Sequence, residues 1–333
     1  MGKFFIRFDR IASAFVVAAL LFIAPPAVTA EKAETARIGV FAFAGASGDC
    51  QNKAFVEGLR ELGMVEGQNI VIDCERASGE QTVDAAATAL VSRRPDVIVV
   101  FGHAPTLAIR RATQEIPIVM STSGEPVAAG LVASLARPGG NITGVSYYNT
   151  ELNAKRLEII KSVVPGAKRI AFIRDPRAPA DLLDVYTRHS TEAAKMLGVD
   201  LHIVDVSSPG AIDALYPQLV KANVDAVFIM PFHALFKEIP RIVQLAKQFK
   251  LPTMHCHKTF VPAGGLMFYG VDYEIQHRRM ATYVDKILHG AKPADLPIEQ
   301  PARFEFHLNR TAADALGLKL SPAVLMRANK VIE

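Results

Sequence analysis

From Arg37 onward the chain alternates short apolar runs with amphipathic stretches, and it completes that cycle twice. Residues 38–43, 70–74, 97–101 and 118–120 read as strands, and residues 52–62, 82–92 and 105–113 have the apolar spacing of helices. A second cycle places strands at 169–173, 201–204, 226–230 and 252–255, with helices at 154–163, 182–197, 211–221 and 239–249. Strands that are apolar almost throughout need both faces covered, so the alternation predicts parallel sheets with helices on each side. The expected fold class is α/β, with two similar Rossmann-like lobes.

Residues beyond Pro262 do not fit a simple tandem pair. They offer a strand at 266–269, a strong helix at 273–288, a Pro-rich connector at 292–301 and a strand at 304–308. Two further chain crossings return these pieces to the two sheets. The expected segments are 36–146 and 269–297 for the first lobe, and 147–268 and 298–333 for the second. The stretch 139–149 carries the first crossing. Such a three-segment hinge leaves a cleft, and ligands of open α/β sheets sit at the carboxyl ends of strands. Those ends are Phe43-Ala44-Gly45, Gly102-His103-Ala104, Ser121-Thr122-Ser123, Arg174-Asp175-Pro176 and Met230-Pro231-Phe232.

The third of these ends is the most suggestive. An apolar run, 116–120, stops in Ser121-Thr122-Ser123-Gly124-Glu125-Pro126. Ser123 suits a helix cap and Pro126 a first turn, which predicts a helix over 127–135. Free N–H groups and three hydroxyls meeting at a helix start suit a carboxylate. A capped helix that holds nothing is the alternative.

The N-terminus reads as a secretory signal peptide: Lys3, Arg7 and Arg10 precede an apolar segment at 11–24, and Val28-Thr29-Ala30 offers a cleavage site. The apolar run is too short to span a bilayer. No cysteine near Ala30 suggests a lipid anchor, so a soluble periplasmic chain beginning near Glu31 is expected. Half of the residues are hydrophobic and 21% are charged, enough for one or two sizeable cores. Losing residues 1–30, with three basic and one acidic side chain, lowers the formal charge from +4 to +2. The remaining basic residues are dispersed, with no long basic run, so nucleic acid is not an expected partner.

The residues AGLVASLARPGGNITG at 129–144, AGGLM at 263–267 and YVDKIL at 283–288 resemble the ABC transporter substrate-binding protein family that includes the tryptophan and tyrosine transporter receptors. FVEGLRELG at 55–63 and TAADALGL at 311–318 are similar to it too. The resemblance covers essentially all of the chain after the signal peptide. It implies the type I periplasmic binding protein fold, no catalysis, and a small ligand delivered to a membrane permease with its ATPase. A monomer is expected. The chain departs from the family at Gly102-His103-Ala104-Pro105, where relatives often carry Thr or Pro, and at Met254-His255-Cys256-His257.

An amino-acid-like ligand places its carboxylate on Ser121 to Ser123 and its ammonium on Asp272 or Asp175. Its side chain then lies among Phe43, Tyr147, Tyr148 and Phe232. His103 is either a ligand contact or a polar rim residue, and Asp272 either a cleft carboxylate or the cap of the following helix. His255, Cys256 and His257 alternate in direction along a strand and do not converge on one ion, so no metal is expected. Gly45-Ala46-Ser47-Gly48 lacks dinucleotide-site spacing, so no cofactor is expected either. The rival class is a periplasmic α/β hydrolase or sugar-modifying enzyme, but the Gly-x-Ser-x-Gly elbow is absent and no His/Asp pair stands out by spacing. Cys50 and Cys74 follow neighbouring parallel strands, and an oxidising compartment allows them to bridge; the alternative is that all three cysteines are reduced. With the bridge formed, Cys256 remains a free, buried thiol.

Overall fold

The computed structural model describes residues 1–2, 35–43, 52–78, 81–122, 124–147, 152–208, 210–230 and 233–333. Thr35–Glu333 forms one compact unit built on two sheets. The first sheet comes from β1 (Ala36–Phe43), β2 (Ile70–Ala77), β3 (Val97–Phe101), β4 (Ile118–Thr122) and β5 (Ile142–Ser146). They lie in the order β2-β1-β3-β4-β5, all parallel. Between them run α1 (Lys53–Glu61), α2 (Val83–Ser92) and α3 (His103–Ala112).

Then come α4 (Leu152–Val163), β6 (Arg169–Arg174), α5 (Ala180–Met196), β7 (Asp200–Asp205), α6 (Ala211–Lys221), β8 (Ala226–Ile229), α7 (His233–Phe236), α8 (Ile239–Gln248), β9 (Thr253–His255) and β10 (Met267–Gly270). The helix α9 (Tyr273–Leu288), β11 (Glu305–Asn309), α10 (Arg310–Ala315), α11 (Pro322–Arg327) and β12 (Lys330–Ile332) complete the chain. The second sheet has the order β12-β11-β10-β9-β8-β6-β7, and only the β10–β11 pair is antiparallel.

Strand periodicity explains how one sheet feeds two cores. In the first sheet Val97, Val99 and Phe101 pack with Phe55 and Leu59 of α1 and with Met280 and Val284 of α9. The alternating Ile98 and Val100 pack on the other side with Ala87 and Leu90 of α2 and Ile109 of α3. In the second sheet Phe172 and Phe228 face α4 and α5, while Ala171, Ile173 and Val227 face α6 and α8.

The chain passes between the sheets three times: after β5, after β10, and again after α9, which rests on the first sheet although β10 and β11 belong to the second. Part of the stretch expected as the first crossing is thus β5 itself. The connector after α9 is tied to that strand: Thr143 donates to the Leu296 carbonyl at 2.7 Å, and Glu299 and Val145 form a parallel bridge.

The helix expected over 127–135 is absent. Residues 126–130 make a single turn, in which Ala129 N–H reaches the Glu125 carbonyl at 2.9 Å. Gly130 then enters the left-handed region at φ 63°, where helices stop. Leu131 and Val132 turn into the core beside Ile298 instead of following a helical path. The composition of 127–135 is helical, but burial of that pair overrides it.

Candidate functional site

The carboxyl ends of the central strands of both sheets face each other, and the expected site residues gather there unevenly. Ala44, Gly45, Ser123, Tyr148, Phe232 and Cys50 lie outside the described residues, as does the signal segment. Phe43 is half-buried at the end of β1 and packs on the α2–α3 side of the first sheet. Ala104 is half-buried in the first turn of α3.

Ser121 and Thr122 do not converge. They are successive residues of a strand, so their side chains take opposite faces. The buried Ser121 lies close to the Tyr147 hydroxyl on the α9 side, whereas Thr122 turns toward α3. The meeting of hydroxyls at a helix start is therefore corrected on both counts: the strand continues through Thr122, and no helix follows it.

Thr122 is buried in a cage around His103. Its hydroxyl lies 3.1 Å from His103 Nδ1 and accepts the Gly124 N–H at 3.2 Å. The imidazole Nε2 lies 3.0 Å from Asp181 Oδ2 in the first turn of α5, so this contact joins the two lobes. Gly124 makes room: a Cβ there would sit 2.6 Å from His103 Nδ1. His103 is thus neither an exposed rim residue nor open to a ligand in this arrangement; its side chain is 3% exposed.

Tyr147 ends a second polar chain, and each hydrogen in it has a determined direction. Asn52 Oδ1 caps α1 by accepting the Phe55 N–H at 2.9 Å, so Nδ2 is what faces His277 Nδ1 at 2.8 Å. Nδ1 must then accept, and the proton sits on Nε2, which donates to the Tyr147 hydroxyl at 2.9 Å. The tyrosine proton is left to point away from His277, on the side where Ser121 lies. Burial, with help from nearby His257, pushes the His277 pKa down to about 3, and burial also lifts the Tyr147 hydroxyl above its ordinary range.

Rings line the passage from one sheet to the other. Tyr147 meets Tyr273 edge-on at 4.7 Å, Tyr273 stacks on His257 at 5.6 Å, and His257 contacts Phe236 at 4.8 Å. Burial and then the Lys258 charge lower His257 to about 4, so it stacks as a neutral ring.

Both carboxylates expected to take an ammonium already hold cations. Asp175 is buried and grips Arg177 through Nε at 2.8 Å and Nη2 at 2.7 Å. Asp272 caps α9 by accepting the Glu274 N–H at 2.9 Å and pairs with Lys258 Nζ at 3.0 Å. A ligand ammonium at either one must share the carboxylate. The capping role read for Asp272 is the one it fills, with Lys258 paired to the same oxygen.

Sequence reasoning missed Asp181, His277, His257 and Tyr273 as members of this region. His277 was within reach: Tyr273, His277, Met280, Ala281 and Val284 form the buried face of α9 at helical spacing. Asp181 carried no signal beyond an acid in a first helical turn. His255 and His257 both contact Phe236, at 5.8 and 4.8 Å, but His255 is otherwise buried against Phe260 and His257 against Tyr273. Among the described residues no cluster of His, Cys, Asp and Glu suits a metal ion.

The ABC transporter substrate binding protein family profile matches residues 37–332. The chain belongs to this family. The substrate-binding protein is 28% identical over 272 residues to the tyrosine-binding protein of Clostridioides difficile (strain R20291), which covers 81% of this chain and 77% of that one. A crystal structure of an ABC domain in complex with L-Trp from Streptococcus pneumonia superposes with a TM-score of 0.81 at 26% identity, over 90% of this chain and all of that one. A conserved domain protein from Vibrio cholerae matches with the same TM-score, identity and coverage. The substrate-binding protein therefore has the two-lobed periplasmic binding protein fold.

Proposed function

We propose that this substrate-binding protein captures an aromatic amino acid between its two lobes and presents it to the permease and ATPase of an ABC importer. The ring-lined passage formed by Tyr147, Tyr273, His257 and Phe236 carries the reading, since it offers stacking and edge contacts where the strand ends of the two sheets meet. Relatives that bind tyrosine and tryptophan support the same ligand class. Ser121 and Ser123 are the donors assigned to the carboxylate. Asp175 and Asp272 are the carboxylates assigned to the ammonium. Exported by residues 1–30 and working as a periplasmic monomer, the protein performs no reaction. Among the described residues no helix is long and apolar enough to cross a membrane.

An enzyme reading has one attraction, since Thr122, His103 and Asp181 line up as hydroxyl, imidazole and carboxylate. The Thr122 hydroxyl is fully buried and already accepts the Gly124 N–H, so no reacting carbonyl can approach it. Closure follows from affinity: a ligand touching both lobes binds the closed state better and shifts the population toward it.

Thermal unfolding in the presence of L-tyrosine, L-tryptophan, L-phenylalanine, L-leucine and L-glutamate tests the proposal. An aromatic amino acid at 100 times its dissociation constant is expected to add about 2.7 kcal/mol of stability. Ser121→Ala combined with Ser123→Ala is expected to weaken that shift. A response to leucine or glutamate alone overturns the ligand class, and an undiminished shift in the double variant overturns the carboxylate site.

A further inference from the structure

The contact between His103 and Asp181 belongs to neither lobe's own packing. His103 is the first residue of α3 and is held in the first lobe by Thr122 and by the space left at Gly124. Asp181 stands on α5 of the second lobe, and its carboxylate is 46% exposed. The imidazole is thus fixed before the lobes meet, while the carboxylate is free to leave for water.

The place of the contact in the two sheets gives it leverage. The chain crosses between lobes beside β5 of the first sheet and at β10 and β11 of the second. β3, which feeds α3, lies two strands in from β5, and β6, which feeds α5, lies three strands in from β10. With strands about 4.8 Å apart, the contact stands roughly 10–14 Å from the crossings, and an opening of about 20° parts the two atoms by a further 4 Å or so. A bond of 3.0 Å does not survive that movement.

We infer that Asp181 is a positioning residue for ligand capture: a latch on the caged His103 that forms only when the lobes close and that slows ligand release without touching the ligand. The proposal deepens the amino-acid-receptor reading and rests on it for the ligand, but not for the movement. Thr122 is the acceptor-donor hinge of the latch, since its hydroxyl can donate to His103 Nδ1 and leave Nε2–H for the carboxylate.

Two measurements on the full chain test it: small-angle X-ray scattering without ligand, and the kinetics of L-tyrosine and L-tryptophan binding. Asp181→Ala is expected to raise the radius of gyration of the ligand-free protein. It is also expected to weaken binding roughly three- to tenfold, mainly through faster dissociation, as suits a half-exposed hydrogen bond to a carboxylate. Asp184→Asn, an exposed acid on the same helix, controls for lost charge and is expected to change neither. On a His103→Asn background, Asp181→Ala is expected to add nothing; should the His103 variant fail to fold, the Asp181 variant alone decides. An unchanged radius and unchanged dissociation overturn the latch. Tighter binding also overturns it, because Asp181 would then compete with the ligand's carboxylate for His103. If wild type binds no amino acid, the receptor reading fails for this ligand class, and the ligand-free scattering comparison still decides the latch.

Discussion

At the residue scale, Asn52 governs the protonation of a histidine more than two hundred positions away. Its carboxamide orientation is set by capping α1, and that orientation dictates which His277 nitrogen carries the proton. The cost of this arrangement appears as acid sensitivity. His277 is held down to about 3 and His257 to about 4, with burial as the main cause for both, against an ordinary value of about 6.5. A depressed folded-state value means that the unfolded chain takes up protons first. The stability from the neutral rings is complete above about pH 6.5 and is lost as pH falls toward the folded values, by up to about 1.4 kcal/mol per pH unit for each histidine. Urea unfolding between pH 7 and pH 5 is expected to show this decline, and His277→Gln to reduce its slope. An unchanged slope in the variant would show that His277 is exposed or already charged. His103 and Asp272 could be picked out because they stand at strand ends. Asp181 could not, because its role depends on where the second lobe meets the first, and nothing local encodes that distance.

At the scale of elements, α1 and α9 show how closely two distant segments are fitted. Gly58 faces α9, and a Cβ at that position would sit 2.8 Å from the Arg278 carbonyl oxygen and 3.0 Å from Ala281 Cβ. Alanine favours helix over glycine by about 1 kcal/mol, yet overpacking costs about 1–3 kcal/mol. Gly58→Ala is therefore expected to destabilise the protein in urea unfolding, and a gain in stability would mean that the helices shift apart freely. β3, β4 and β8 were legible because all their residues are buried, which is what an apolar run records, whereas the equally buried β5 was not, because ITGVS mixes polar and small residues into the run. The helix over 127–135 was misread because AGLVASLA favours a helix locally, while Gly130 and the burial of Leu131 and Val132 decide otherwise through tertiary packing.

At the scale of the whole molecule, Cys74 at the second strand is disulfide-bonded, and Cys256 is a free buried thiol whose pKa burial pushes up to about 12. The pairing proposed for Cys74 is with Cys50, which tethers the segment before α1 to β2. Reduction is expected to cost about 3 kcal/mol on the chain-entropy account, read as a lower urea midpoint in reductant. Alkylation without reduction, followed by digestion and mass spectrometry, checks the pairing: separately alkylated Cys50 and Cys74 peptides would overturn it. The three passages of the chain between sheets have a consequence for the order of synthesis. The face of the first sheet formed by Ile38, Val40, Val97 and Val99 receives α1 early but is not closed until α9 arrives, after nearly the whole second sheet has been made. A nascent chain ending at β10 thus carries a half-covered apolar surface and cannot settle. For a chain exported as proposed from residues 1–30, that delay keeps it transportable until α9, in its last fifth, has been made.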